Sequence, residues 1–219
     1  MAGGDLFQSA AKFVLSWEGG WSDDPCDPGR ATMRGVTLAT FRAWLDDPAA
    51  TADRLHAVAE DEVLRLYRSL YWNRILGASM PPGVGLSTLD ACVLSGVRRG
   101  TLLLQSVLAV SQDGVVGPVT LAAANRAAPS SLLARYAQAR ASFYTGLPTF
   151  GTFGAGWLRR NAACLTASLA AAGVAGAPPA NTAPAMALPM PRAMTTAELN
   201  DAELAAIRAA ERPQTGEPQ

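Results

Sequence analysis

Histidine is almost missing from this sequence: His56 is the only one in 219 residues. Cysteine is scarce too, with Cys26, Cys92 and Cys164 far apart and never in a CxxC pair. Both absences speak against a zinc site and a disulfide framework, and fit a chain made in a reducing compartment. Charge is thin, at 16% of residues, and balanced at eighteen of each sign. Without net charge or a polybasic run there is no electrostatic footprint for nucleic acid or an anionic membrane surface. Long apolar runs are also absent. The most hydrophobic stretch, residues 162–180, is rich in Ala and Gly and ends in Pro178–Pro179, which makes a poor membrane span, so no stable insertion is expected. The opening MAGGDLFQSAAKF lacks a basic start followed by an apolar stretch of signal length. No segment alternates apolar and polar residues as a half-buried strand would.

What is present is apolar matter on a helical repeat. Hydrophobic residues make up 49% of the chain, enough for a core. Leu6, Ala10, Phe13, Val14 and Trp17 share a helical face that Gly19–Gly20 brings to an end. Thr37 is a candidate N-cap for LATFRAWL. AEDEVLRLYRSLYW opens with acids, as a helix N-terminus prefers, and sets Val63, Leu66, Tyr67 and Leu70 along one face. ASMPPGVG reads as a loop, and LSTLDACVLSG and TLLLQSVLAV as buried helices with a glycine break between them. Pro118 belongs near the first turn of another helix, and long helices are expected over about 130–143 and 156–172. From Gly173 to about Met194 the composition turns to Ala, Pro, Met and Thr without periodicity, as in a linker. Thr195 and Glu198 then have capping-box spacing and open a short amphipathic segment. The expected fold class is all-α.

One stretch interrupts this pattern. In SWEGGWSDDPCDPGRATMRGVT, residues 16–37, a lone glutamate stands between two tryptophans and two glycines. Glu18 falls at a helix C-terminus, where the backbone presents partial negative charge, and Trp17 and Trp21 add apolar surroundings. Both effects favour a protonated carboxyl, the form a general acid needs. Gly19 and Gly20 allow a sharp turn and leave room for a ligand. The plainer alternative is a solvated helix end beside core tryptophans. A general acid commonly works beside a second polar group. Asp24 and Asp27 can each turn back towards Glu18, and Thr37 can position a water. Equally, each aspartate can be an Asx-type cap beside a proline.

The stretch EGGWSDDPCDPGRATMRGVT resembles the signature of the glycoside hydrolase family 108 muramidases, which are lysozyme-like. Glu18, Gly19, Gly20, Trp21, Asp24, Pro25, Asp27, Gly29, Thr32, Gly35, Val36 and Thr37 match it in register. Tyr71–Trp72 and LSTLDACVLSGV around Asp90 resemble the family as well. The resemblance implies a lysozyme-like helical fold and cleavage of the β-1,4 bond between N-acetylmuramic acid and N-acetylglucosamine. Glu18 would be the acid, Asp24, Asp27 and Thr37 the candidate assisting groups, and no cofactor or metal would be needed. Trp21, Thr32, Tyr71, Trp72, Asp90 and Ser95 are the implied substrate contacts. Arg30, the pair Met33–Arg34 and Leu94 depart from the family pattern, at positions that would contact sugar or shape the loop. They leave a non-catalytic peptidoglycan-binding or export-associated protein as the alternative.

DGVVGPVTLAAANR resembles a motif shared by helical peptidoglycan-binding modules, and the sequence after it resembles the module that follows the family's catalytic part. Tyr144, Phe150, Phe153 and Trp157, spaced among glycines, are open to two readings: stacking on sugar rings, or packing between helices. The expected organisation is a catalytic part over 6–96, a binding module over 97–172 and a tail over 173–219. A monomer acting on glycan strands is expected. Since the start of the sequence has no export signal, the protein would be made in the cytoplasm and reach the wall with the help of a holin.

Overall fold

The computed structural model describes residues 6–23 and 31–174. Helix α1 (Leu6–Leu15) turns Phe7, Ala10, Ala11 and Val14 into the core. The chain then enters a small antiparallel sheet, β1 (Trp21–Ser22), β2 (Thr32–Met33) and β3 (Val36–Thr37), in that order. Trp21 lies opposite Met33, and Thr32 lies between Ser22 and Thr37. The fold class is all-α as expected, and the sheet is a small addition to it. Its strands are two residues long, too short for any alternation to be read. Arg34 and Gly35 make the tight turn between β2 and β3, both with positive φ (48° and 76°), as a two-residue hairpin turn requires.

Helix α2 (Leu38–Leu45) starts where expected, its first turn capped by Thr37. Helix α3 (Ala52–His56) leads to α4 (Glu60–Tyr67), whose first turn holds Glu60, Asp61 and Glu62. The chain continues through a π-helical turn, Arg68–Trp72, and a short 3-10 turn, Gly77–Ser79. Helix α5 (Pro82–Ser95) begins inside the segment that reads as a loop. Pro82 occupies its first turn, and Gly83 is a packing residue rather than a loop residue. A Cβ on Gly83 would fall 2.1 Å from the carbonyl oxygen of Ser168, so glycine lets two helices touch. The remaining helices are α6 (Val97–Leu108), α7 (Pro118–Arg126), α8 (Pro129–Thr145) and α9 (Phe150–Ala171). Helix α9 starts ahead of the expected position because Gly151, Gly154 and Gly156 are helical. Gly154 lies beneath the Phe150 ring, where a Cβ would meet ring carbons at 2.4 Å.

The fold is all-α apart from the small sheet. Helix α5 is its axis, apolar and buried nearly all round and packed by α1, α6, α8 and α9. One continuous core cluster runs from Phe7 in α1 to Ala167 in α9. Among the described residues no helix is long and apolar enough to cross a membrane. The capping box at Thr195 and Glu198 and the Ala/Pro-rich segment beyond residue 174 lie outside the described residues.

Candidate active site

Glu18 sits where α1 has just ended, after Trp17 closes the last turn onto the Val14 carbonyl. Its side chain is only 6% exposed. The guanidinium of Arg160, from the middle of α9, donates from Nη1 to Glu18 Oε1 at 2.8 Å. Arg160 is itself enclosed, and its Nε donates to Asp90 Oδ1 at 2.7 Å. The other oxygen of Asp90 accepts from Arg140 Nη2. Arg140 also donates from Nε to the Tyr144 hydroxyl at 3.2 Å and from Nη1 to the Ser87 carbonyl at 3.3 Å. Charges of alternating sign therefore run outward from the core as Arg140, Asp90, Arg160 and Glu18.

Burial works against each ionised member of this row, and neighbours of opposite sign offset it. For Asp90, burial pushes towards protonation, but Arg160 and then Arg140 outweigh it and hold the carboxyl below its ordinary range. For Arg160, burial pushes down, while the Asp90 and Glu18 carboxylates bring it above its ordinary value. Each group in the row has a partner of opposite kind within hydrogen-bond distance, which is why such a row can be enclosed.

The other carboxylate oxygen of Glu18 faces the hairpin and α4. A Cβ on Gly35 would lie 2.6 Å from Glu18 Oε2 and 2.8 Å from the Tyr67 hydroxyl oxygen. Gly35 is thus needed for its positive φ and for the space it leaves. Tyr67 donates from its hydroxyl to the Arg34 carbonyl at 2.9 Å, tying α4 to the hairpin. Its phenol is held well above its ordinary pKa, by burial first and then by the nearby Glu18 and Tyr71, so a neutral hydroxyl borders the carboxylate. Arg34 turns its guanidinium away to Glu60 at 3.1 Å.

Of the residues expected at the site, Glu18 is in place, with Trp21 and Thr32 on the adjoining sheet. Trp21 is half-buried and packs its ring on His56, 4.6 Å between centroids. Tyr71 is half-buried beside Tyr67, 5.5 Å between rings. Thr37 lies close by but has a structural task. Its Oγ1 accepts from the Thr40 amide at 3.2 Å and shares a 2.9 Å hydrogen bond with the Thr40 hydroxyl, inside the protein. The Thr37 hydroxyl thus caps a helix. Trp72, Asp90 and Ser95, expected against sugar, lie in the interior. Trp72 packs on Phe7 with ring centroids 5.7 Å apart and fills the space that Gly77 leaves. Asp90 anchors the two arginines. Asp24, Asp27 and Arg30 lie outside the described residues.

Arg160, Arg140 and Tyr67 are the site residues that sequence reasoning misses. A trace of them exists: Asp90 is the only charged residue in the PGVGLSTLDACVLS helix, and an isolated buried charge requires a partner. Nothing in the sequence says which arginine answers it.

In the second half, Tyr144 and Trp157 are buried with rings 5.9 Å apart, and Phe153 lies 5.9 Å from Trp157. Tyr144 and Trp157 thus pack between α8 and α9, and Phe153 meets Trp157 within α9. Asp113 and Gly114 form a tight turn, with Gly114 at φ 80°. Gln105 clamps this turn, donating to Asp113 Oδ1 at 2.7 Å and accepting from the Gly114 amide at 2.9 Å.

The profile of the family described as "Glycosyl hydrolase 108" matches residues 11–96, and that described as "Predicted Peptidoglycan domain" matches residues 99–162. Among solved structures, that of Brucella abortus SagA is similar to this chain at 40% identity with a TM-score of 0.69. The match covers 76% of this chain and 95% of that one. No curated protein matches.

Proposed function

This chain belongs to the glycosyl hydrolase 108 family and is a peptidoglycan hydrolase; we propose that it is an N-acetylmuramidase with Glu18 as general acid. The observation that carries the proposal is the setting of Glu18, a nearly enclosed carboxyl held between a guanidinium and a hairpin turn whose second residue, Gly35, has no room for a side chain. As the glycosidic bond breaks, Glu18 gives its proton to the leaving oxygen and becomes a carboxylate. Arg160 is already oriented towards the negative charge that develops on Oε1, so little reorganisation is needed during the step. The Tyr67 hydroxyl and the Gly35 turn fix the other side of the carboxyl. Trp21, half-buried on β1, offers an aromatic face to a sugar ring. The second carboxylate of the reaction is assigned to Asp24 or Asp27, which follow β1 in the sequence.

The test is release of new reducing ends from purified peptidoglycan. Glu18→Gln should lower the rate on the order of a hundredfold or more. A Gln variant that cleaves at nearly the wild-type rate would remove Glu18 from the mechanism.

A further inference from the structure

Arg160 reaches Glu18 from 142 residues further along the chain, and nothing local holds it there. Its direction is set in the core. Gly83 lets α5 and α9 touch at Ser168. About two turns further along α5, and back along α9, Asp90 and Arg160 meet. Asp90 accepts from Arg160 on one oxygen and from Arg140 on the other, so the guanidinium is oriented before it touches Glu18. Arg160 lies within the segment matched as a peptidoglycan domain, whereas Glu18 and Asp90 lie within the segment matched as the glycosyl hydrolase.

We infer that Arg160 is a positioning residue for Glu18 and that Asp90, by sharing its charge, sets from the core the pH range over which the acid keeps its proton. This rests on the reading of Glu18 as the acid. Among the described residues, the groups facing Glu18 are Arg160 from α9 and the Tyr67 hydroxyl from α4, with Asp90 from α5 and Arg140 from α8 behind Arg160 and Tyr71 beside Tyr67. Arg160 places a cation directly against the carboxyl, which opposes its protonated form. Asp90 counters part of that charge. What remains is enough to aim the carboxyl and to stabilise it once the proton has gone.

The experiment is the pH dependence of reducing-end release from purified peptidoglycan by the full chain. A general acid loses activity as pH rises through its own titration, so its alkaline limb is the readout. In Arg160→Gln the alkaline limb should move to higher pH, because no cation opposes the protonated form. In Asp90→Asn it should move to lower pH, because nothing shares the charge of Arg160. Each displacement should be on the order of one pH unit. Arg160→Lys keeps a cation at the site and should keep the limb near its wild-type position while turnover falls. A purely structural role lowers the rate alike at every pH and leaves the limb where it was.

Asp90→Asn leaves Arg140 without a carboxylate and Arg160 with Glu18 alone. The paired variant Asp90→Asn with Arg140→Gln removes one charge of each sign and should show the same downward shift in a better-folded protein. Limbs that coincide with wild type in folded Arg160→Gln, or that move the same way in the Arg160 and Asp90 variants, overturn the inference. If Glu18→Gln is inactive while these limbs stay fixed, the assignment of the acid stands and only the role of the row fails. An active Glu18→Gln brings down both.

Discussion

At the scale of single residues, the site depends on small groups as much as on charged ones. Gly35 is the sharpest case: its φ is +76°, and a methyl there would come within 2.6 Å of Glu18 Oε2. Gly35→Ala should cost about 1–2 kcal/mol from the left-handed backbone alone. Activity on peptidoglycan should fall further than that loss of folded protein explains, because the methyl displaces the carboxyl. Comparing the rate per folded molecule with thermal melting separates the two effects, and equal proportional losses would show that the carboxyl tolerates the intrusion. Glu18 and Gly35 are legible in the sequence because they fall within one unbroken motif. Arg160 is not legible, since its link to Glu18 exists only after α9 has packed on α5. Asp90 is legible as an anomaly, but in sequence a charge against sugar and a charge against arginine look the same.

At the scale of elements, helices are readable where polar and apolar faces differ. Thr37 and the acidic start of α4 mark their helices by ordinary capping chemistry. Glycine misleads: in α5 and α9 it reads as a break, while in the fold it allows close approach of Ser168 and of the Phe150 ring. The three strands escape notice because a two-residue strand has no period. Thr37→Ala tests what the cap contributes. It should destabilise the fold by about 1 kcal/mol, measured by urea unfolding, and activity should follow the amount of folded protein. A large loss of turnover at full stability would return Thr37 to the reaction.

For the whole molecule, the enclosed row of charges links stability to acidity. Asp90 binds its proton less readily in the fold than in the unfolded chain, because both arginines favour its carboxylate. Its contribution is therefore fully present above the ordinary aspartate range, about pH 4, and is lost as pH falls through the lower value it has in the fold. Unfolding free energies of wild type and Asp90→Asn, measured from pH 6 down to about pH 3, should differ by about 3–5 kcal/mol at the upper end and converge on acidification. A gap that stays constant with pH would mean that the aspartate supports the core by shape rather than charge. The two buried thiols fit the same dry interior: burial raises Cys92 to about 12 and Cys164 to about 11.

The contact between Glu18 and Arg160 also limits how such an enzyme can be recombined. Two family profiles meet near residues 96–99, which invites cutting there and grafting another binding module onto the hydrolase. Yet the cut would sever the acid from its cation and strand Asp90 among apolar side chains. A chimera carrying a foreign module should fold poorly and cleave weakly, unless the graft brings arginines matching Arg140 and Arg160 in both place and direction. Refolding yields and peptidoglycan cleavage of two such grafts, one with the arginines and one without, decide it; equal performance would make the junction a free seam. On this account the transferable unit is the hydrolase together with the helices that hold its charges, and engineering for a new wall should alter the outer faces of α7 and α8 instead.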